Sequence, residues 1–401
     1  MKSIIMWIAI FAPWIDYTLK HILHATNILN YWDEVFLLFT SIAAIYYLLK
    51  SNPVSRVVIL TFSMFFSVAI ISAAINNVGI YPMIDFTIRS ILPFSLFIIM
   101  SADNKPDKRS LVFPLGLFLM SISLMGIFQV IMKIPIPNTW VSRYLDNGIK
   151  YRAFSIFFSP NITGLFIVYL LPLFIFLSYF ALKKKANTML ETILLSTCVI
   201  IGSVALLLTF SRGAWISIIV ALFLTSLLID FKFGISSPIL GIISILLVPP
   251  LRHRLTSLFT KKYFVISSKG GRVYEWSIAI FHWKEQGVLL GSGPGTFGSR
   301  TAWNLGISKF LIDMSYLRIL VELGILGLIT YVTHLVSIAW SLFYSLPSSR
   351  SKEDFYITLG ILAGVIGFIV AANFENFADY SYFLMLLYTT SAITIGGNKN
   401  R

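Results

Sequence analysis

The chain has 401 residues, 57% of them hydrophobic, with a mean hydropathy of +0.84 and a formal net charge of +14. So much apolar surface exceeds what a globule of this length can cover, which excludes a water-soluble fold. A single cysteine, Cys198, excludes disulfides within the chain.

Taken in chain order, twelve stretches approach or reach the roughly 17–25 apolar residues that cross a bilayer. They lie at 4–19, 34–49, 57–75, 84–100, 110–132, 160–182, 190–210, 213–229, 235–250, 311–334, 356–373 and 380–396. The expected fold is an all-α polytopic membrane protein, with 1–401 forming a single membrane domain. Pro13 and Asp16 interrupt the first stretch. Its Lys2-led start lacks the polar junction and A-x-A-like cleavage site of a signal peptide, so it reads as an uncleaved span.

Basic residues near span ends set the orientation. With both termini in the cytoplasm, the inside set is Lys2, Lys50, Arg56, Lys105, Lys108, Arg109, Lys183, Lys184, Lys185, Lys232, Arg350, Lys352, Lys399 and Arg401. The short outside connections then hold only Lys20 and Arg212. Two outside loops break this bias. The loop 133–159 carries Lys133, Arg143, Lys150 and Arg152. The longer loop 251–310 carries Arg252, Arg254, Lys261, Lys262, Lys269, Arg272, Lys284, Arg300 and Lys309. Long segments translocate despite their charge, which is one explanation. The other is that the extracytoplasmic face gathers cations to hold an anion, a phosphate at the membrane surface being the natural candidate. Cations facing away from the cytoplasm exclude nucleic acid as a partner.

Two further arginines bear on this choice. Arg89 lies about one turn inside the outer end of the fourth span, and Arg212 sits in the tight turn between the seventh and eighth. An intramembrane arginine faces a cavity or a partner, or it snorkels to the headgroups. Arg212 is also placed to meet the carbonyls that end the seventh span.

Within 251–310, Val273, Trp276, Ile280 and Trp283 recur at spacings of three and four. That pattern predicts an amphipathic helix over 271–286, lying on or dipping into the membrane, with Arg272 at its phosphate-favouring N-terminal end. The string Gly291-Ser292-Gly293-Pro294-Gly295-Thr296-Phe297-Gly298 follows. No strand–turn–helix unit surrounds it, so a dinucleotide fold is excluded. It reads as a flexible connection, or as a backbone nest for phosphate. Asp313 opens the tenth span, either as its N-cap or as a carboxylate able to take a proton from a sugar hydroxyl. Glu322, nearly three turns deeper, predicts a buried acid paired with a basic or hydroxyl group. No paired acids, H-E-x-x-H motif, Cys/His cluster or P-loop appears, so neither a metal, a cofactor nor ATP is expected.

Several segments together resemble the bacterial O-antigen ligase and polymerase family. They are Tyr151-Arg152 through Ser159-Pro160-Asn161, Leu208-Thr209-Phe210-Ser211-Arg212-Gly213, Gly271-Arg272-x-x-x-Trp276, Gly291 through Phe297, and Ser315-Tyr316-Leu317 through Glu322-Leu323-Gly324-Ile325-Leu326-Gly327. In order, they cover roughly 150–335, and the first 150 residues match only in hydropathy. The resemblance implies a GT-C-like glycosyltransferase of the bacterial cytoplasmic membrane, active at its outer face in O-antigen, lipopolysaccharide or other polysaccharide biosynthesis. The implied donor is a glycan on undecaprenyl diphosphate, and the acceptor is also lipid-linked. A chain-length regulator and a flippase are the implied partners.

By residue, Arg152, Arg212 and Arg272 fall on the family's basic positions, and Asp313 is the candidate base. Arg89, Arg300, Tyr316 and Glu322 complete the substrate-binding candidates. Ligases of this family carry a His-Asn pair where Asp313-Met314 stands here, which favours a polymerase over a ligase to lipid A-core or protein. A small-anion transporter or lipid flippase is the alternative of a different class.

Overall fold

The structure, a computed structural model, describes residues 2–25, 27–50, 55–102, 107–137, 151–184, 188–257, 260–269, 271–378 and 380–396. Arg143 and Lys150 of the first basic loop lie outside the described residues, as do Lys105, Lys185, Lys399 and Arg401. Among the described residues the architecture is all-helical, with one isolated bridge between Gly298 and Leu311.

The chain opens with α1 (Lys2–Tyr17), which ends in a π turn over Thr18–Ile22, then α2 (Trp32–Lys50) and α3 (Arg56–Ile75). A second π turn, Thr87–Ile91, joins α4 (Ile80–Phe86) to α5 (Phe94–Ser101). There follow α6 (Val112–Ile131), α7 (Pro160–Lys184), α8 (Met189–Leu208), α9 (Arg212–Ser226) and α10 (Phe231–Leu247). The long loop is itself helical, containing α11 (Pro249–Thr256), α12 (Lys261–Ser268), α13 (Arg272–Gln286) and α14 (Arg300–Asn304). The chain closes with α15 (Ser315–Ser345), α16 (Lys352–Ala371) and α17 (Ser381–Gly396).

Among the described residues, eight helical stretches are long and apolar enough to cross a membrane, or nine if α10 and α11 form one broken span. The four other predicted stretches are helices too, but shorter: α1, α9, α10 and α17 have 16, 15, 17 and 16 residues. At about 1.5 Å per residue they reach roughly 22–26 Å, less than the ~30 Å hydrocarbon core. The α10–α11 axis bends by 101° at Val248. Val248 precedes Pro249-Pro250, and a pre-proline residue is driven into extended backbone, here φ −96° and ψ 110°. The predicted span 235–250 therefore stops at Leu247. Pro13, by contrast, is buried inside a continuous α1.

The chain divides into two compact units. The first comprises Met1–Asp107, Tyr274–Ser345 and Ala372–Arg401, and the second Lys108–Val273 and Leu346–Ala371. In the second unit α7 packs against α6, α8, α9 and α16. Its closest neighbour is α16, because Gly360, Gly364 and Gly367 lay a side-chain-free stripe against the backbone of Leu173 and Tyr169 and the side chain of Val168. Small residues at helix contacts let backbones approach where lipid offers no hydrophobic driving force. Arg109 ties the same unit together by ion pairs of 2.7 Å to Glu191 and 3.3 Å to Glu353.

In the first unit α3 packs on α15, and α5 lies against α2 and α17. Its interior holds a polar network. The His334 imidazole contacts the Tyr388 hydroxyl at 3.0 Å and the Thr61 hydroxyl at 3.4 Å, and Thr61 meets Ser337 at 2.9 Å. Buried polar groups persist when they satisfy one another in this way.

The glycine stripe generates a test. A Cβ at Gly364 would collide with the Tyr169 carbonyl. Gly364→Val should lower stability by about 1–3 kcal/mol, the cost of overpacking, read as an earlier thermal transition of the detergent-purified protein. An unchanged transition would refute the close α7–α16 contact.

Candidate functional site

The second unit carries the three arginines at the predicted basic positions. Helix α8 ends at Thr209, Phe210 turns the chain at φ +50°, and Ser211 holds the N-cap position of α9. A helix end leaves carbonyls that need donors. Arg152 Nε donates to the Thr209 carbonyl at 2.7 Å, Ala153 N–H to Leu208 at 2.9 Å, and Trp215 Nε1 to Leu206 at 3.1 Å. Arg152 thus takes a carbonyl at the end of α8, the place the sequence suggested for Arg212. Arg212 is the first residue of α9, and its Nη1 donates to the Ser257 hydroxyl at 3.3 Å. The Thr209 carbonyl and the Ser257 hydroxyl thus help to position these two guanidinium groups.

Arg272 opens α13 as predicted. The buried Ser267 caps that helix, its hydroxyl accepting from Val273 N–H at 3.2 Å and its carbonyl from Gly271 N–H at 3.0 Å.

The remaining candidates belong to the first unit. Glu322 is fully buried and pairs with Arg318 one turn earlier at 3.2 Å, with side-chain exposures of 1% for Arg318 and 0% for Glu322. Its other carboxylate oxygen accepts from Phe297 N–H at 3.2 Å. Glu322 is thus the buried acid with a basic partner expected from its depth, and it also holds the loop at Phe297. Two residues further on, at Gly324, α15 breaks, with φ +67° and ψ −169°.

The glycine-rich string fills this break. Ser292 and Gly293 N–H donate to the carbonyls of Val321 and Glu322 at 3.0 and 2.7 Å. Beyond the break, Ile325 and Leu326 N–H donate to Val288 and Leu289 at 3.0 and 3.2 Å. A side chain at Gly324 would strike the Leu289 carbonyl, and one at Gly291 the Val321 carbonyl. The string is therefore a strap docked on a broken helix, not the flexible connection expected from composition.

Helix α13 packs on the same region. Trp276, Ala279 and Trp283 meet Phe297, Ile312, Leu317 and Val321. Ile280, expected on this stripe, is 41% exposed, because the inward face centres on Ala279. The His282 ring stacks on Phe297 at 4.0 Å and 11°. Burial pulls the His282 pKa below the ordinary imidazole value.

Arg89 lies on the second π turn and binds both oxygens of Asp85 through Nε at 2.9 Å. Thr301 donates its hydroxyl to the same carboxylate. The adjacent Arg300 lies over the ring of Tyr380, 5.8 Å from its centroid. Arg89 therefore has a carboxylate partner, and Asp85, Thr301 and Tyr380 are members that sequence reading missed.

Asp313 lies just before α15. The first carbonyl of that helix to accept is Met314, from Arg318 N–H at 3.0 Å, so Met314 and not Asp313 occupies the N-cap position. Tyr316 is half-buried, 6.2 Å from the ring of Tyr331. Ser315 fastens the helix start, donating to the Glu375 carbonyl at 3.0 Å and accepting from Phe377 N–H at 2.8 Å.

Residues 197–332 match the family described as O-antigen ligase. The likeness covers part of the chain, from within α8 into α15. With the eight apolar helices, it indicates an integral membrane protein. A search of curated proteins found no match.

Two measurements probe this site. Glu322→Gln leaves the Arg318 charge buried opposite a neutral group, which should cost about 3–5 kcal/mol. Adding Arg318→Met should recover most of that loss, because the substituted amide can still accept from Phe297 N–H. A double-mutant cycle on thermal midpoints decides, and additive losses would exclude the pair. For His282, the unfolded imidazole binds its proton before the folded one. Stability is therefore full above the unfolded pKa of about 6.5 and falls as pH drops through it. Melting points of the purified protein between pH 7.5 and 5.5 should show this decline, and His282→Gln should flatten it.

Proposed function

We propose that this protein is a glycosyltransferase that polymerises undecaprenyl-diphosphate-linked repeat units at the outer face of the bacterial cytoplasmic membrane, with both termini cytoplasmic. The reading is supported by the family match over 197–332 and by the arginines of the second unit. The single observation that carries it is the α8–α9 turn. There Arg152 and Arg212, 60 positions apart in the sequence, are held on one short segment by a backbone carbonyl and a serine hydroxyl. Such fixed cations suit a diphosphate leaving group.

In this mechanism Arg152, Arg212 and Arg272 bind the diphosphate and stabilise the charge that develops on it. The acceptor hydroxyl oxygen attacks C1 of the donor sugar, with inversion. The C1–O bond to the diphosphate breaks, and undecaprenyl diphosphate departs with the electron pair. A carboxylate base, for which the sequence offers Asp313, receives the hydroxyl proton. Each lipid tail confines its reactant to the bilayer plane, which supplies part of the encounter. Asp313-Met314, standing where ligases of this family have His-Asn, favours a lipid-linked repeat unit over lipid A-core as acceptor.

The break in α15 is the one observation that favours transport, since discontinuous helices build ion sites in transporters. Here, however, the backbone groups at the break bond to residues 288–293 of the strap.

Arg212→Ala and Arg272→Ala should each abolish long chains on a polysaccharide gel, with a rate loss of roughly 10²–10³ per removed donor, while the protein still inserts. Wild-type chain lengths in both variants would reject the clamp. Anion flux in proteoliposomes without glycan lengthening would favour the transporter.

A further inference from the structure

Three segments distant in sequence meet within the first unit around Asp85. Arg89 grips the carboxylate from the same helix, and Thr301 reaches it from the start of α14. Ser90, next to Arg89, donates its hydroxyl to the Ala378 carbonyl at 2.8 Å, which brings in the 378–380 segment. On that segment the Tyr380 ring lies under Arg300.

We propose that this constellation of Asp85, Arg89, Thr301, Arg300 and Tyr380 is a sugar subsite that holds one pyranose ring of the glycan by its hydroxyls. The inference rests on the glycosyltransferase reading above and names where that enzyme grips its carbohydrate.

Three arguments carry it. The first is exposure. Arg89 and Asp85 have the same four-residue spacing as Arg318 and Glu322, yet their side chains are 29% and 31% exposed instead of sealed. A pair so exposed stabilises a helix little, but it remains reachable. The second is charge. Asp85 faces Arg89 directly, so a diphosphate would meet a carboxylate there. A neutral polyol meets no such repulsion. Each sugar hydroxyl both donates and accepts, and an ionised carboxylate has about four acceptor directions, of which Arg89 and Thr301 occupy only part.

The third is backbone. Arg89 and Ser90 stand on a five-residue π turn, closed by Leu92 N–H to the Thr87 carbonyl at 2.9 Å. A π turn inserted between two α segments is uncommon and occurs mostly at functional sites. Here it carries the arginine and the serine that assemble the cluster.

The test uses the full-length protein in nanodiscs. The probe is the repeat-unit oligosaccharide released by mild acid from the host's lipid-linked intermediate and freed of phosphate. Wild-type protein should bind it in saturation-transfer NMR. Asp85→Asn and Thr301→Val should each weaken binding at least tenfold, whereas Lys50→Ala, at the exposed end of α2, should leave it unchanged. Thr301→Val alters shape little and decides the matter if Asp85→Asn does not insert.

Absence of binding to the wild type, or wild-type affinity in the Thr301 variant, overturns the proposal. So does displacement of the oligosaccharide by inorganic pyrophosphate in the Arg212→Ala protein. Failure of the glycosyltransferase reading is seen separately, as normal polymer from the arginine variants of the second unit.

Discussion

In a bilayer interior there is no water to satisfy an amide or carbonyl that its own helix has released, and each unmet group costs several kcal/mol. Helix α15 breaks at Gly324, and the rest of the first unit is arranged to meet that demand. Residues 288–293 lie along the break and exchange hydrogen bonds with it on both sides. Ser72 of α3 adds its hydroxyl to the Leu290 carbonyl at 2.5 Å, so the strap is held from both sides. Only glycine fits at positions 291 and 324, because both need positive φ and both backbones come too close for a side chain.

Glu322 converts this local repair into a site. It anchors Phe297 through the backbone, and Phe297 in turn is the floor on which His282 of α13 stacks. The loop between α13 and α15 is thereby fixed from within, and Arg300 and Thr301 are delivered to Asp85 and Tyr380. In the second unit the arginines are placed by different means. A short segment at 152–153 lies on the end of α8 and caps its carbonyls. One unit thus sets a carboxylate between an arginine and a threonine, and the other places arginines by a carbonyl and a hydroxyl.

The apolar periodicity announced every membrane-length helix, since the hydrocarbon core demands length and hydropathy that a sequence displays directly. The pairs Asp85–Arg89 and Arg318–Glu322 were also within reach, because a spacing of four on a helix places side chains together. What stayed hidden depends on partners far along the chain. The composition of 291–298 reads as a loop until the break at Gly324 offers it hydrogen bonds. Arg152 shows no sign of capping α8, since its acceptor lies 57 residues away. The inward face of α13 turns on Ala279 because Ile312 and Leu317 are there to receive it. The stop at Leu247 was a different case. Val248-Pro249-Pro250 announced it, but hydropathy carried the expected span across.

The interleaving of the two units dictates an order of biogenesis. The hydroxyl of Ser72 and the carbonyl of Leu290 are 218 residues apart, with Lys108–Val273 of the second unit emerging between them. At ribosomal speeds of about 5–20 residues per second, α1 to α5 wait on the order of ten to forty seconds before the strap exists to join them. During that interval lipid, rather than protein, must shelter their faces. The first unit therefore stays half-built until synthesis of the C-terminal third completes it.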